Sequence, residues 1–398
     1  MMKLAHRVQN LQASITVSID TKAKEMMVQG VELISMGAGE PDFCTPEHIA
    51  QAGIDAIQSF KTFYSNPTGL NELKEAVCTK FSRDNALNYR PKQIVISSGA
   101  KHSVFNAIMA LVNPGDEVII PTPCWVTYPE LVKLAGGTPV MLPTSADNNF
   151  ALDPQVFRDA ITERSKLIIL NSPNNPTGAV YSKSLLKEIA EIVVENDLYC
   201  LSDEIYEHIV YDQKHYSIAA MGDEIKERSV VINGVSKAYA MTGWRIGYLA
   251  ANADLAKAIG SLQSQSTHHP ATISQWAALK ALQAEQSSVQ QMRQEFNQRR
   301  NYVYEFLKAI PQLKLPSMSG AFYAFPDVSH YYGKSTPEGK IIENSMDFCT
   351  WLLEKHKLVV IPGIAFGADK HLRFSFATSL AKIQQGLHKF SLALNELK

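Results

Sequence analysis

The sequence predicts an α/β protein in which helices cover a mostly parallel sheet and a smaller α+β domain follows. From Gln93 to about Ala250, short apolar runs alternate with amphipathic stretches of helix length, a pattern typical of such a sheet. After Gln286 the pattern changes to one long charged helical segment and then to aromatic runs. A chain of 398 residues is long enough for two packed domains with sizeable cores.

The sheet is predicted from apolar runs of strand length, assigned here to a large domain over residues 46–286. These runs are Gln93–Ser97, Glu117–Pro121, Pro139–Leu142, Lys166–Leu170, Tyr199–Ser202, Val230–Asn233 and Ile246–Ala250. The amphipathic stretches predict helices at Ser103–Val112, Tyr128–Ala135, Ser182–Asn196 and Thr272–Ala284.

The smaller domain is predicted over residues 287–398, where the charged helical segment precedes aromatic strands at Ala321–Phe325 and Leu372–Phe376. Residues 1–45 form a short stretch that glycines and prolines such as Gly37 and Pro41 interrupt. We therefore expect this stretch to pack on the smaller domain as an N-terminal arm.

Composition narrows the function classes. The chain is 45% hydrophobic and 19% charged with a formal net charge of -1, which fits a globular protein and supplies no basic surface for nucleic acid or anionic membranes. Five scattered cysteines without a C-x-x-C pair indicate neither a disulfide framework nor a metal cluster, so no metal is predicted. With no signal-peptide pattern and no apolar run of membrane length, we expect a cytoplasmic protein.

Ligands of open α/β sheets bind beyond the carboxyl ends of the strands. That rule directs attention to the residues that follow the predicted strands, namely Ser98, Pro123, Asn171, Asp203 and Gly234. Three segments there place polar residues in apolar surroundings. They are Asn171–Gly178 (NSPNNPTG), Ser202–Tyr206 (SDEIY) and Asn233–Gly247 (NGVSKAYAMTGWRIG).

Lys237 lies within the third of these segments, between apolar residues that include Val235 and Tyr239. Partial desolvation would disfavour its ammonium form and so favour the neutral amine that attacks carbonyl groups. A single lysine is more often an exposed surface residue. The neighbouring motifs must therefore decide whether Lys237 is a nucleophile.

Those motifs make the chain resemble the class I aminotransferases of the fold-type-I pyridoxal-phosphate enzymes. The resemblance extends from Gly37–Pro41 (GAGEP) and Tyr64–Gly69 (YSNPTG) through the three segments above to Arg373. It is strongest to the bacterial aspartate aminotransferase subgroup. It implies pyridoxal 5'-phosphate as cofactor, a fold-type-I transferase fold, an amino acid and a 2-oxo acid as partners, and a homodimer with shared active sites.

The resemblance also implies the contacts of the cofactor. Lys237 would bind the cofactor aldehyde and then move the proton at the substrate α-carbon. Asp203 would hold the pyridinium proton, which keeps the ring an electron sink. Tyr206 and Asn175 would hydrogen-bond the phenolic oxygen, and Trp125 would stack on the ring. Each of these side chains could instead have a purely structural role, as a turn, a cap or core packing.

The phosphate group needs backbone amides and cations, which a helix N-terminus directly after a strand can supply. Ser98–Lys101 (SGAK) fits that description, and Arg245 resembles the family's phosphate-binding arginine. The further cofactor-binding residues that the resemblance implies are Gly99, Ala100, Lys101, Ser236 and Arg245. Tyr64 resembles the tyrosine that reaches the phosphate in the neighbouring subunit.

The substrate contacts follow in the same manner. Arg373 would bind the α-carboxylate in a bidentate pair, and Gly39 would let the backbone approach that carboxylate, with Trp125 and Asn175 completing the site. The distal-carboxylate arginine of the other subgroup is replaced by Ser264, so the resemblance points instead to Lys101, Ser14 and Thr16. Acidic donors are therefore favoured. Gln12 stands where prephenate-accepting relatives carry a basic residue, which argues against prephenate.

The sequence thus predicts a ping-pong aminotransferase that moves the amino group of an acidic L-amino acid, with L-aspartate the best candidate, to 2-oxoglutarate. Alternatives within the fold are an aminotransferase for aromatic amino acids, alanine or prephenate, and a carbon–sulfur lyase or a decarboxylase. A non-catalytic regulatory relative would be expected to have lost Lys237 or Arg373, and both are present.

Overall fold

The structure is a computed structural model that describes residues 4–9, 11 and 15–398. Its strands, numbered along the chain, are β1 (Ile34–Ser35), β2 (Ile94–Ser97), β3 (Glu117–Thr122), β4 (Thr138–Pro143), β5 (Ser165–Asn171), β6 (Tyr199–Asp203), β7 (Ser229–Gly234), β8 (Gly247–Ala250), β9 (Tyr323–Ala324), β10 (Leu358–Val359), β11 (Ile361–Pro362) and β12 (Leu372–Ser375).

The helices are α1 (His6–Gln9), α2 (Ile15–Val28), α3 (Glu47–Gln58), α4 (Asn71–Asn85), α5 (Ala100–Leu111), α6 (Thr127–Leu134), α7 (Pro154–Asp159), α8 (Lys183–Glu195), α9 (Asp223–Arg228), α10 (Ala253–Gln265), α11 (Thr272–Gln283), α12 (Ser287–Lys308), α13 (Ser345–His356) and α14 (Leu380–Glu396). Side-chain N-caps begin several of them. The Ser182 hydroxyl accepts from the Leu185 amide at α8, and the Asn344 amide oxygen accepts from the Asp347 amide at α13.

The large sheet has seven strands in the order β2-β8-β7-β6-β5-β3-β4. All pair in parallel except β8, which is antiparallel to both of its neighbours. Every strand predicted for the large sheet is present, with ends shifted by at most one residue. Buried parallel strands carry continuous apolar runs, and this is why the sequence pattern locates them well. The predicted α/β class is confirmed.

Helices pack on both faces of this sheet. Ile169 faces the cluster that contains Val104 of α5 and Ile259 of α10, whereas its neighbour Ile168 faces the cluster that contains Ile189 of α8. The helix predicted at Ser103–Val112 begins earlier, at Ala100, because Gly99 with φ +88° forms the turn directly before it. Its first turn therefore lies at the carboxyl end of β2.

The C-terminal region contains the smaller sheets. Strand β12 pairs antiparallel with both β9 and β11, and β1 of the N-terminal segment pairs in parallel with β10. The aromatic strands are shorter than predicted, since Ala321, Phe322 and Phe325 lie outside β9 although all three are buried in apolar clusters. Among the described helices, none combines the length and the apolar character that a membrane crossing requires. The boundaries at 45 and 286 stay a prediction.

Candidate active site

A cavity of about 560 Å³ opens at the carboxyl ends of β5 and β6. Its wall combines residues of the large sheet with residues of the N-terminal segment and of the C-terminal region. The predicted site residues that line it are Thr16, Gly39, Ala100, Lys101, Trp125, Asn175, Asp203, Tyr206, Ser236, Lys237, Arg245 and Arg373. Most of the predicted constellation therefore meets at one place.

Lys237 lies in the loop after β7, and its Nζ donates a hydrogen bond to the carbonyl oxygen of Gly39. Burial lowers the pKa of this amine to about 8, although the nearby Glu40 carboxylate acts in the opposite direction. An amine with this pKa has a substantial neutral fraction near pH 8. Lys237 is thus suited to nucleophilic attack on an aldehyde.

Asp203 is the last residue of β6, and its carboxylate is buried. The Tyr128 hydroxyl donates to its Oδ2 at 2.7 Å, and the Ile205 amide donates to its Oδ1 at 3.2 Å. Burial raises the pKa of Asp203 to about 6, while the hydrogen bond from Tyr128 opposes the rise. A buried carboxylate held in this way would gain from a cationic partner such as a pyridinium group.

Arg373 on β12 is buried, yet none of the described Asp or Glu side chains pairs with it. Its Nη1 donates to Asn175 Oδ1 at 2.9 Å, its Nη2 donates to the Gly37 carbonyl at 2.8 Å, and its guanidinium lies 4.5 Å from the Tyr323 ring. Burial lowers the pKa of the guanidinium from its usual value. A buried cation without a carboxylate partner favours an anionic ligand.

Two tyrosines face each other on the wall of the cavity. The hydroxyl groups of Tyr206 and Tyr323 are 2.9 Å apart, and their rings pack edge to face. Burial raises the pKa of Tyr206 well above its usual value, so its hydroxyl stays protonated and can donate to a phenolate oxygen. Tyr323 was not predicted as a site residue.

The start of α5 and Arg245 form the end of the cavity where the cofactor phosphate is predicted to bind. The Arg245 Nη1 donates to the Thr242 carbonyl at 2.8 Å, and Nη2 lies 3.4 Å from the Ser98 carbonyl. Gly99 has φ +88°, a backbone conformation that residues with a Cβ atom rarely adopt, and a Cβ atom there would also lie 2.3 Å from Arg245 Nη2. The His102 and Ser103 amides of this first turn donate to the Gly99 carbonyl at 3.0 and 3.3 Å. The amides of Ala100 and Lys101, which begin the helix, are the ones left for an anion.

Lys101 and Trp125 form another part of the wall, with Lys101 Nζ at 5.0 Å from the centre of the Trp125 ring. Burial, and then the charge of Arg245, lower the pKa of Lys101. Thr16 of α2 lines the same cavity, whereas Ser14 and Gln12 lie outside the described residues. The cation and one hydroxyl expected for a distal carboxylate are therefore both present.

Two predicted site residues, Gly99 and Tyr64, lie outside the wall of the cavity. Gly99 supports the helix start from outside the wall, and Tyr64 is 89% exposed, with its ring against His268 and His269 rather than in the cavity. At Gly39 a Cβ atom would be 3.5 Å from the Tyr323 hydroxyl, an ordinary contact. Glycine at position 39 is therefore not dictated by the space around its backbone.

Sequence reasoning missed several residues of the wall, namely Lys24, Glu40, Tyr128, Thr242 and Tyr323. A usable signal existed for Tyr128, because it follows Trp125 by one helical turn at the start of α6. Glu40 was within reach too, since it belongs to the quoted segment GAGEP. Its Oε2 accepts from the Thr242 hydroxyl at 2.9 Å.

Comparison with known proteins agrees with this geometry. Residues 31–390 match the family model for aminotransferase class I and II. The chain belongs to this family. As an aminotransferase of class I and II it uses pyridoxal phosphate, and the donor set fits that cofactor: a buried reactive amine, a buried carboxylate, and an arginine beside a helix N-terminus.

Relatives of this aminotransferase cover nearly its full length. It is 46% identical to an aspartate aminotransferase of Bacillus sp. strain YM-2, over 97% of both chains. It is 44% identical to a probable aspartate/prephenate aminotransferase of Aquifex aeolicus, over 99% of both chains. A solved aspartate aminotransferase of Thermus thermophilus with maleate superposes with a TM-score of 0.93 at 42% identity, covering 99% of this chain and 100% of that one.

Proposed function

We propose that this aminotransferase takes the amino group of L-aspartate and delivers it to 2-oxoglutarate in a ping-pong sequence. One observation carries the proposal: the cavity that holds Lys237 and Asp203 also holds the buried, carboxylate-free guanidinium of Arg373. That arrangement provides one anchor for an α-carboxylate beside the amine that can move a proton at the α-carbon.

The bound cofactor would supply an electron-poor ring that accepts the electron pair left on the substrate α-carbon. Lys237 would hold the cofactor covalently and then carry the proton. Asp203 would keep a proton on the ring nitrogen, and Tyr206 with Asn175 would donate to the phenolic oxygen. Ala100, Ser236 and Arg245, supported by Gly99, would bind the phosphate, and Trp125 would cover one face of the ring.

Lys101 and Thr16 support the acidic specificity, together with Ser14. A second carboxylate on the substrate would place a negative charge near Lys101, whose ammonium is partly desolvated by the cavity wall although the residue keeps contact with solvent. The Thermus thermophilus relative was solved with maleate, which is a dicarboxylate. The same wall would accept 2-oxoglutarate, since that acid also carries two carboxylates.

A homodimer is part of the proposal. Ile57, Phe60, Phe63 and Tyr64 are each more than half exposed and follow one another at the end of α3 and in the next loop. Exposed aromatic residues so close together are typical of an interface. In the dimer Tyr64 would reach the phosphate of the other subunit.

We also propose that the domain boundaries lie at residues 45 and 286, and that the protein is located in the cytoplasm.

A half-reaction tests the donor. Purified protein with bound cofactor is mixed with L-aspartate in the absence of any 2-oxo acid, and the near-ultraviolet and visible absorbance is followed, with L-alanine and L-phenylalanine as comparison donors. We expect rapid conversion with aspartate only. Equal rates with aspartate and alanine would contradict the proposed specificity for acidic donors. A lack of conversion with every donor would contradict the proposed transamination.

A second candidate is prephenate as an amino acceptor. The identity to the Aquifex aeolicus protein supports it, and so does Lys24, an additional cation that α2 contributes to the wall of the cavity. Protein converted to the amine form is mixed with prephenate or 2-oxoglutarate. Recovery of the original absorbance with prephenate would establish this activity. Recovery with 2-oxoglutarate alone would exclude it.

A further inference from the structure

A second group of buried polar residues lies behind the active site. Residues 202–207, the segment that contains Asp203 and Tyr206, also contribute to this second group. We call it the rear cluster; it consists of Lys80, Asn85, Ser202, Glu204, Glu207, His208, His215 and Ser217. Asp203 and Tyr206 line the cavity, whereas Glu204 and Glu207 do not. Site residues and rear-cluster residues thus adjoin along the segment SDEIYE.

Glu204 is 1% exposed and directly follows Asp203. Its Oε1 accepts from the hydroxyls of Ser202 at 2.8 Å and Ser217 at 2.7 Å, and its Oε2 lies 3.1 Å from Nε2 of His215. Ser202 of β6 and two residues of a later loop, His215 and Ser217, therefore hold both carboxylate oxygens. This fixes the orientation of the residue next to Asp203.

Glu207 is equally constrained and directly follows Tyr206. It forms a buried ion pair with Lys80 of α4, which is 1% exposed, and its Oε2 accepts from Asn85 Nδ2 at 2.7 Å. Burial alone would raise the pKa of Glu207, but the charges of Lys80 and His208 outweigh it and lower the pKa to about 2. Glu207 is thus an anion, and its partners Lys80 and Asn85 belong to α4.

The backbone connects these two anchors to the site. The Glu204 amide donates to the Ile232 carbonyl of β7 at 2.8 Å, and the Glu207 amide donates to the Glu204 carbonyl at 2.9 Å. Because successive side chains of an extended strand point to opposite faces, holding Glu204 behind the sheet directs Asp203 to the front. On the cavity side, Asp203 accepts a hydrogen bond from the Tyr128 hydroxyl, and the hydroxyl of Tyr206 contacts that of Tyr323.

Stability alone is a poor explanation for the rear cluster. Buried ion pairs lose so much hydration that apolar side chains of the same volume are often as stable. What they provide is a defined geometry, which matters most beside groups that must be placed within about 0.5 Å. In the rear cluster, the side chains held in a defined geometry are Glu204 and Glu207, the residues that directly follow Asp203 and Tyr206.

We propose that Glu204 and Glu207 are positioning residues, which fix Asp203 and Tyr206 from behind the sheet. The proposal rests on the cofactor contacts proposed above for those two side chains. Neither glutamate touches the reacting groups. Their removal should therefore change how the cofactor is held and not only whether the chain folds.

The test uses Glu204→Gln, a change that keeps the size of the side chain, in the protein with bound cofactor. The matched control is Glu117→Gln. Glu117 is also a buried carboxylate of the large sheet, but it lies at the opposite end of β3, where it binds Arg164 at 2.6 Å and Thr162 at 2.6 Å. For each variant we would measure the affinity for the cofactor, the pH titration of the cofactor absorbance, kcat and KM, and thermal unfolding.

We expect Glu204→Gln to lower kcat about 10- to 100-fold, to weaken cofactor binding and to shift the absorbance titration, as a misplaced group would. Glu117→Gln should lower only the unfolding temperature. A Glu204→Gln protein that binds and titrates like the unchanged protein would overturn the proposal. If that variant does not fold, Ser217→Ala decides: a smaller change of the same kind supports the proposal, and unchanged spectra and kcat refute it.

The proposed function fails separately. Asp203→Asn should itself shift the absorbance titration strongly. If it does not, Asp203 has no role at the ring nitrogen, and the error lies in the proposed function. If Asp203→Asn changes the titration and Glu204→Gln does not, the role of the rear cluster is what is wrong.

Discussion

The hydroxyl of Tyr128 donates a hydrogen bond of 2.7 Å to Oδ2 of Asp203, and both residues are buried. Tyr128 belongs to α6 and Asp203 to β6, so this bond joins a helix on one face of the sheet to the carboxyl end of β6. It opposes the effect of burial, which raises the pKa of Asp203 to about 6. Tyr128 thus helps to keep Asp203 ionised at neutral pH.

Tyr128→Phe should therefore raise the pKa of Asp203 further and weaken its hold on the ring nitrogen. A hydrogen bond to a charged group contributes about 1.5 to 3 kcal/mol, which corresponds to a fall in kcat of about 10- to 100-fold. Steady-state kinetics across pH 5 to 9 checks this, and the loss should be greatest at low pH. Tyr89→Phe is the control, because that buried hydroxyl has no hydrogen-bond partner among the described residues. An unchanged pH profile would exclude the role.

Cofactor uptake should depend on the ionisation of Lys237. Because its pKa is lowered to about 8, the ammonium prevails below that pH and the reactive amine above it. With this pKa, the rate of covalent uptake by cofactor-stripped protein should rise about fivefold from pH 7 to pH 8 and level off above pH 9. Stopped-flow absorbance measures the rate. Lys237→Ala should show no covalent uptake and no transamination, and normal turnover by that variant would contradict the assignment.

Arg373→Lys should weaken the binding of every amino-acid donor. Lysine keeps the charge but cannot form the bidentate pair, and its ammonium could not hold Asn175 and Gly37 together as the guanidinium does. We expect KM for aspartate and for slow donors such as alanine to rise by a similar factor, about 10- to 100-fold. A loss confined to aspartate would instead place Arg373 at the distal carboxylate.

Lys101→Gln should separate the two carboxylates of the substrate. Removing this cation should raise KM for aspartate about 10-fold or more and leave alanine within about twofold, because alanine has no second carboxylate. Thr16→Val is a second, smaller perturbation of the same wall. If Lys101→Gln weakened cofactor binding and affected both donors alike, Lys101 would belong to the phosphate end, beside Arg245, which also lowers its pKa.

The sequence located the strands of the large sheet and most of the cavity wall, and the reason is physical. Strands buried on both faces carry unbroken apolar runs, so Asn171 and Asp203 stood out as polar residues at their ends. Helix α2 was missed because charged and apolar residues are mixed around it, without a clear apolar face. Thr16, one of the α2 residues that line the cavity, was predicted only from the family resemblance.

Long-range partners were beyond the reach of sequence patterns. Tyr323 belongs to an aromatic run whose direction depends on the pairing of β9 with β12, and it meets Tyr206 across 117 positions of the chain. The Tyr128 bond to Asp203 spans 75 positions. Periodicity reports which face of an element is apolar, but it does not report which polar groups of distant elements will meet.

The hydrogen bonds of Arg373 have a consequence for the newly synthesised chain. Its partners Asn175 and Gly37 lie 198 and 336 positions earlier, so both leave the ribosome well before the guanidinium that joins them. A nascent chain can therefore contain Lys237, Asp203 and helix α5 while it still lacks Arg373, the proposed anchor for the α-carboxylate. A product that is truncated between Arg245 and Arg373, and that folds, should therefore be able to capture cofactor without gaining the ability to select amino acids.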